Sequence, residues 1–309
     1  MRRRSWAGRP GSARVRTVTP PAPSSHLPAI LMVIVAMSIV AFQDATVKFL
    51  VQTLPPAQVT WARYFFHLAV SLPLALRIVP WRAMRPRHLP LQLLRGVLLV
   101  ASSFMFVLGV RHVPLADMLA LIMSAPLIVT ALSPALLGER VGPTRVLACV
   151  LGFAGALLVI QPGAGTMQWS SLLGLCAGTT FSLYLIITRK LAGSAPPMVT
   201  LAYTAVIGAG VTTAALPFVW VWPTPLEAAL MVGIGCSAAT GHYLLIRAYE
   251  RAPAVLLAPF NYTELLCATM IAYWWFGDFP NQWTWMGMVV IVISGLFLSL
   301  SERKPRAAG

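Results

Sequence analysis

Long apolar runs, separated by short polar or proline-rich breaks, dominate the chain from residue 28 to residue 302. A helix needs roughly 20 apolar residues to cross the hydrocarbon core of a bilayer. Ten runs meet that length, at about 28–50, 57–79, 91–111, 114–137, 144–161, 170–189, 197–220, 226–248, 253–276 and 284–302. Between them stand Pro55-Pro56, Pro80, Pro114, Gly142-Pro143, Pro162-Gly163, Pro196-Pro197, Pro223 and Pro280, residues that interrupt helices. The pattern predicts an all-α integral membrane protein of ten transmembrane helices. Short loops make consecutive helices antiparallel neighbours, and no water-soluble domain is left over.

Composition agrees. Hydrophobic residues make up 58% of the 309-residue chain and charged residues only 10%, against about a quarter charged in a soluble domain. The mean hydropathy is +0.77. A single soluble core of this size has no room for so much apolar surface.

The formal net charge of +15 raises nucleic acid as a partner. The placement of the charges excludes it, because they lie between the apolar runs and form no basic domain. With the N-terminus inside, the tail contributes Arg2, Arg3, Arg4, Arg9, Arg14 and Arg16, and the second loop with its flanks Arg77, Arg82, Arg85, Arg87 and Arg95. Arg140, Arg145, Arg189, Lys190, Arg247, Arg251, Arg303, Lys304 and Arg306 fall on the same side. Twenty of the 23 cations are then cytoplasmic, Arg111 is external, and Lys48 and Arg63 lie within spans. That asymmetry predicts a bacterial-type inner-membrane protein with both termini in the cytoplasm. The expected organisation is a basic, disordered tail at 1–27, helices 1–5 at 28–161, helices 6–10 at 170–302 and a short tail at 303–309.

One constant shift along the chain superposes Pro114 on Pro253, Gly138 on Gly277 and Glu139 on Asp278. In each copy a span runs into a Gly-acid turn, LLGERVGPTR and WWFGDFPNQW, and a glycine-dotted span follows, with Gly152 and Gly155 or Gly287 and Gly295. An odd number of spans per copy forces the second into the membrane upside down. Inverted repeats are a recurring plan of secondary transporters, with the substrate site near the repeat interface.

The stretches APLIVTALSPALLGERVGPTRVLACVLGFAGALLVIQPG (125–163) and APFNYTELLCATMIAYWWFGDFPNQWTWMGMVVIVISGLFL (258–298) resemble the closing helices of EamA modules, of the drug/metabolite transporter superfamily. Arg63 in the second span and the Gly138-Glu139 turn match the usual pattern, while Asp278 stands where glutamate is commoner. The resemblance implies two inverted five-helix repeats, a central cavity, and alternating-access transport without ATP hydrolysis, coupled to protons or to exchange. It implies a small organic substrate such as an amino acid, a vitamin like riboflavin, or a nucleoside-like compound like S-adenosylmethionine.

Ionisable groups inside a span are costly and mark function by default. Asp44 and Lys48 are four residues apart on one face of helix 1. Asp44 and Arg63 each lie about 9 Å below the outer surface at 1.5 Å per residue, so they are expected to pair, with Lys48 nearer the outer mouth. His67, one turn below Arg63, extends a polar track. Glu264 lies about 16 Å from the inner end of helix 9, with no cation within a turn and no second mid-depth carboxylate expected nearby. Such a carboxyl suits carrying a proton or meeting a cationic group. Asn261, Tyr262 and Thr263 precede it. Tyr184, Tyr203 and His242 complete the candidate substrate- and proton-binding set, beside Thr179, Thr180, Ser182, Thr240 and Tyr243 as cavity lining or helix glue. Asp117 is expected to pair with Arg111 at the interface. Tyr273, Trp274, Trp275, Trp283 and Trp285 fit an interfacial belt. Gly152, Gly155 and Ala156 form a small-residue face for an internal or a homodimer contact.

Cys149, Cys176, Cys236 and Cys267 lie singly in apolar runs, so no disulfide, metal site or cofactor is expected. A membrane enzyme would need a metal motif, paired acids or a nucleophile constellation, and HExxH and GxSxG are absent. A P-loop is absent too. The expected partners are a small-molecule substrate, protons and lipid. The alternatives are a membrane scaffold or receptor and, further off, an intramembrane enzyme.

Overall fold

The structure is a computed structural model and describes residues 27–80, 88–138, 141–161, 170–191, 194, 196–249, 251–252 and 257–301. Glu139, Arg140, Pro253, the arginines at 82, 85 and 87, and both predicted tails apart from Leu27, which begins the first helix, lie outside the described residues. Eleven α-helices are present among the described residues: α1 Leu27–Leu50, α2 Pro56–Ile78, α3 Leu89–Val110, α4 Leu115–Ile122, α5 Ala125–Leu137, α6 Pro143–Ile160, α7 Ser171–Lys190, α8 Pro197–Ala215, α9 Pro225–Tyr249, α10 Thr263–Phe276 and α11 Gln282–Ser301. Seven helical stretches, with α4 and α5 taken together, are long and apolar enough to cross a membrane. Large apolar side chains such as Leu147, Val150, Phe153, Met270 and Ile293 point outward, as a lipid-facing surface requires.

The proline-rich breaks become helix starts. Pro occupies the first or second position of α2, α3, α5, α6 and α8, where its missing N–H costs nothing. The expected fourth span is broken into α4 and α5. Pro126 cannot supply the backbone donor that a continuous helix needs there, and the Ser124 hydroxyl donates to the Leu121 carbonyl at 2.6 Å. The ninth span likewise opens with a 3₁₀ segment, Ala258–Tyr262, before α10. Gly138 and Gly277, superposed by the repeat register, end α5 and α10 with φ of 68° each. That left-handed geometry favours glycine.

The helices pair across the two halves of the chain. The extensive contacts are α6 with α11, α1 with α9, α3 with α7, α2 with α8, α2 with α9, α1 with α10, and α3 with α8, with α4 and α5 against α7. Exchanging each helix for its repeat counterpart in the other half leaves this set unchanged. Gly96 and Gly235 occupy matching places in it. A Cβ on Gly96 would strike Ile207 of α8, and one on Gly235 would strike the α2 backbone at Phe66 and His67. The glycine face of α6 is occupied inside the chain: Gly155 lies against Gly287 of α11, and Gly152 against Leu127.

Side-chain contacts define two ends of the bundle. At one end Lys48 binds Asp278, Thr53 binds Glu227, Gln58 exchanges two hydrogen bonds with the Val221 backbone at 2.8 and 3.0 Å, and Gln161 donates to Asn281 at 3.2 Å. At the other end Arg95 of α3 reaches α7 and α8. Trp61, Trp220 and Trp222 cluster at the Lys48 end, with the exposed Trp274 and Trp283, a distribution typical of a membrane interface.

Candidate functional site

The apolar runs place few polar side chains inside the bundle, and the helix pairing gathers them. The first group lies where α1 and α2 meet α9 and α10. The carboxyls of Asp44 on α1 and Glu264 on α10 face one another as close neighbours. Gln43 donates to Asp44 Oδ1, at 3.4 Å. This corrects two expectations. Glu264 has a second carboxylate beside it, brought from the opposite half of the chain. Asp44 accepts a hydrogen bond from Gln43 and faces Glu264, and is not paired with Arg63.

Arg63 of α2 acts on this group through space. Its charge reaches Asp44, Glu264, His67 and His242, and it forms no ion pair within 4.0 Å among the described residues. Four residues along α2, the His67 ring stacks on His242 of α9, with centroids 5.6 Å apart and planes 12° from parallel. His67 is buried, and its Nε2 has no hydrogen-bond partner among the described residues. Gly235 makes this stack reachable, because the absent Cβ lets α9 approach the α2 backbone at His67.

Lys48 belongs to a different cluster, at the end of the bundle. Its ammonium binds Asp278, in the turn between α10 and α11, and lies 4.9 Å from the centre of the Phe276 ring. Asp117 of α4 faces Thr284 of α11 and lies within electrostatic reach of Lys48 and Asp278. Neither Asp117 Oδ1 nor Thr284 Oγ1 has a hydrogen-bond partner among the described residues. The expected Asp117–Arg111 pair is therefore replaced: Arg111 is exposed, and Asp117 turns inward because α4 packs against α10 and α11.

Arg95, counted above among the loop-flanking cations, is a buried residue of α3 with 3% exposure. It donates to the Thr200 carbonyl at 2.8 Å, to the Thr204 hydroxyl, and to the Thr188 hydroxyl at 3.5 Å. Its guanidinium lies 5.1 Å from the centre of the Tyr184 ring, and its charge reaches His242. Sequence reading missed it because it sits near a helix end. The signal was available, since six residues into a helix is about 9 Å of depth.

The remaining candidates divide. Tyr184 joins the Arg95 group. Asn261 donates to the Tyr249 hydroxyl at 3.1 Å, away from the Asp44–Glu264 pair. Tyr262 packs its hydroxyl against Gly295 of α11. Tyr203 is half-buried on α8, and the repeat register superposes it on Tyr64 of α2. Tyr64 is buried, shares a hydrogen bond with Ser103 at 2.8 Å, and packs against Gly208. No group of three or more His, Cys, Asp or Glu residues suited to a metal ion occurs among the described residues.

From the Lys48 end to the Arg95 end the interior thus holds Lys48–Asp278, then Asp44–Glu264 with Arg63, then His67–His242, then Arg95–Tyr184. This line of polar groups runs between the two halves of the chain. The carboxyl pair removes one ground on which acid–base membrane enzymes were set aside.

The comparisons with known proteins supply another. The model of the EamA-like transporter family matches residues 27–161 and 168–300. An S-adenosylmethionine uptake transporter of Rickettsia bellii is 28% identical over 84% of this chain and 89% of its own length. A riboflavin transporter of Rhizobium johnstonii is 30% identical over 81% of this chain and 84% of its own. A pseudopaline exporter of Pseudomonas aeruginosa is 24% identical over 89% and 96%. One solved crystal structure superposes with a TM-score of 0.63 at 19% identity, over 91% of this chain and 99% of that one, a likeness of fold.

Proposed function

This chain belongs to the EamA-like transporter family and is a transporter, not an enzyme; we propose that it moves a small organic metabolite across a bacterial inner membrane by alternating access of two inverted five-helix repeats. Ten spans, with both termini cytoplasmic, make up the two repeats. The unchanged helix pairing on exchange of the halves supports the repeat. So do the left-handed glycines at 138 and 277, the interrupted fourth and ninth spans, and the matched close approaches at Gly96 and Gly235. The positive-inside asymmetry of Lys and Arg supports the orientation.

The observation that carries the site is the Asp44–Glu264 pair beside Arg63 and the His67–His242 stack. Each couple joins one half of the chain to the other, so each is made or broken when the halves rock. The carboxyl pair takes up and releases one proton as the carriage step, and Arg63 sets the charge balance of the cavity. A symporter or exchanger of a metabolite with polar and ring portions fits these groups. The substrates named for the relatives, riboflavin and S-adenosylmethionine, belong to that chemistry.

The test is uptake into vesicles holding the purified protein, with and without a pH gradient, over a broad metabolite panel including those two compounds. Wild type is expected to accumulate at least one compound, more with the gradient. Glu264→Gln is expected to remove the gradient dependence, and Arg63→Ala to cut the flux about tenfold or more. Absence of flux for the whole panel would sink the transport mechanism. Normal flux in both variants would sink the site while leaving the fold intact.

A further inference from the structure

The mechanism above leaves Arg95 without a task. A buried cation is normally paired with an acid. Arg95 has 3% exposure and no carboxylate partner among the described residues. Its partners are neutral oxygens of α7 and α8. The protons of both threonine hydroxyls go elsewhere: Thr188 donates to the Tyr184 carbonyl at 2.8 Å, and Thr204 to the Thr200 carbonyl at 2.9 Å. The hydroxyls therefore turn lone pairs toward the guanidinium and hold it in place without neutralising it. Its Nε is buried and makes no hydrogen bond among the described residues.

A helix strut needs none of this. Threonines and carbonyls already tie membrane helices together without a charge. Guanidinium is the side chain of choice for carboxylates and phosphates, because its planar fork offers parallel donors to two oxygens. The Tyr184 ring supports its face, and Phe181 stacks on Tyr184 with centroids 5.5 Å apart and planes 18° from parallel. Arg95 lies within electrostatic reach of the central site, since its charge and that of Arg63 both act on His242.

We propose that Arg95, seated on the Tyr184 ring, is the subsite for an oxyanion group, carboxylate or phosphate, of the transported metabolite. This rests on the transport function given above and narrows its substrate class to metabolites bearing such a group. The oxyanion meets the Nε edge of Arg95 at one end of the polar line, while the rest of the molecule extends toward His242 and the carboxyl pair.

The test uses the full-length protein in vesicles and probes matched but for one acidic group. Riboflavin 5′-phosphate against riboflavin is the phosphate arm, and S-adenosylmethionine against its decarboxylated form is the carboxylate arm. Wild type is expected to favour the acid-bearing member of at least one pair by about tenfold or more, as a charged hydrogen bond would provide. Arg95→Gln brings that ratio to about one, and Arg95→Lys keeps part of it. A ratio near one in wild type overturns the proposal. So does a ratio that is the same in Arg95→Gln as in wild type, which is the signature of a strut. Should none of these four probes move, the subsite is judged by binding, apart from the transport function, which the broad panel above tests. Phenylglyoxal labelling of Arg95, read by peptide mass spectrometry, is then expected to slow in acetate or phosphate but not in chloride of equal ionic strength. No labelling of Arg95, or one rate in all three salts, overturns it.

Discussion

Replacing Gly235 with alanine tests whether the close approach of α9 to α2 holds the site together. A Cβ at this position would lie 2.3 Å from Phe66 Cβ, 2.8 Å from the His67 backbone nitrogen and 2.9 Å from the Phe66 carbonyl carbon. Ordinary contact begins near 3.5 Å, so the helices must part by about 1.2 Å, and neither backbone nor a Cβ can rotate out of the way as the end of a side chain can. Overpacking of this kind costs about 1–3 kcal/mol. Alanine returns about 0.5–1 kcal/mol through its better helix propensity, which leaves a net loss of about 0–2.5 kcal/mol. Gly233, two residues earlier on the same helix, has no atom within 4 Å of a Cβ, so Gly233→Ala keeps only the gain. The gain is common to both variants, so they differ by the overpacking cost alone, and at about 2 °C per kcal/mol for a chain of this length they should melt about 2–6 °C apart in detergent, with Gly235→Ala the lower. Flux should fall with it, because the His67–His242 stack sits on the displaced segment. Equal melting of the two variants would refute the packing argument.

Other outcomes follow from the same geometry. Lys48→Met, Asp278→Asn and the double variant form a cycle. Asp278 has 31% side-chain exposure and Lys48 9%, so the coupling should be about 1–2 kcal/mol, between surface and fully buried values. Additive melting losses would mean that the pair contributes nothing. Alanine at Gly138 or at Gly277 must adopt φ near 68°, at a cost of about 1 kcal/mol each. The two losses should be alike, and a neutral outcome at either would count against its left-handed cap.

Much of the fold could be read along the chain, because helix formation in a membrane is a local matter of length, apolarity and breaks. The runs at 28–50, 57–79 and 226–248 appear as α1, α2 and α9 with ends within two residues. The repeat register was visible at Gly138 and Gly277, where a turn demands a residue type. It was less visible at Gly96 and Gly235, whose importance lies in what they touch. The interruption of the fourth span at Ser124 was announced by Pro126 and went unread, because the run stays apolar across the break.

The candidate site was legible as an inventory and not as an arrangement. Asp44, Lys48, Arg63, His67, His242 and Glu264 stand out because a charge or imidazole in lipid demands a reason. Which of them meet was decided by the tertiary structure. Glu264 found Asp44, Lys48 found Asp278, and Asp117 turned from Arg111 toward Thr284. In a soluble protein the polar face of each helix would have shown which side turns inward. Here lipid and protein interior are both apolar, so the side-chain pattern carries almost no facing information. The sequence by itself determined that this is a helical membrane protein with a few costly polar residues and an internal repeat. The packing of one half against the other determined which of those residues share a low-dielectric space, and there proximity sets how strongly charges act on one another.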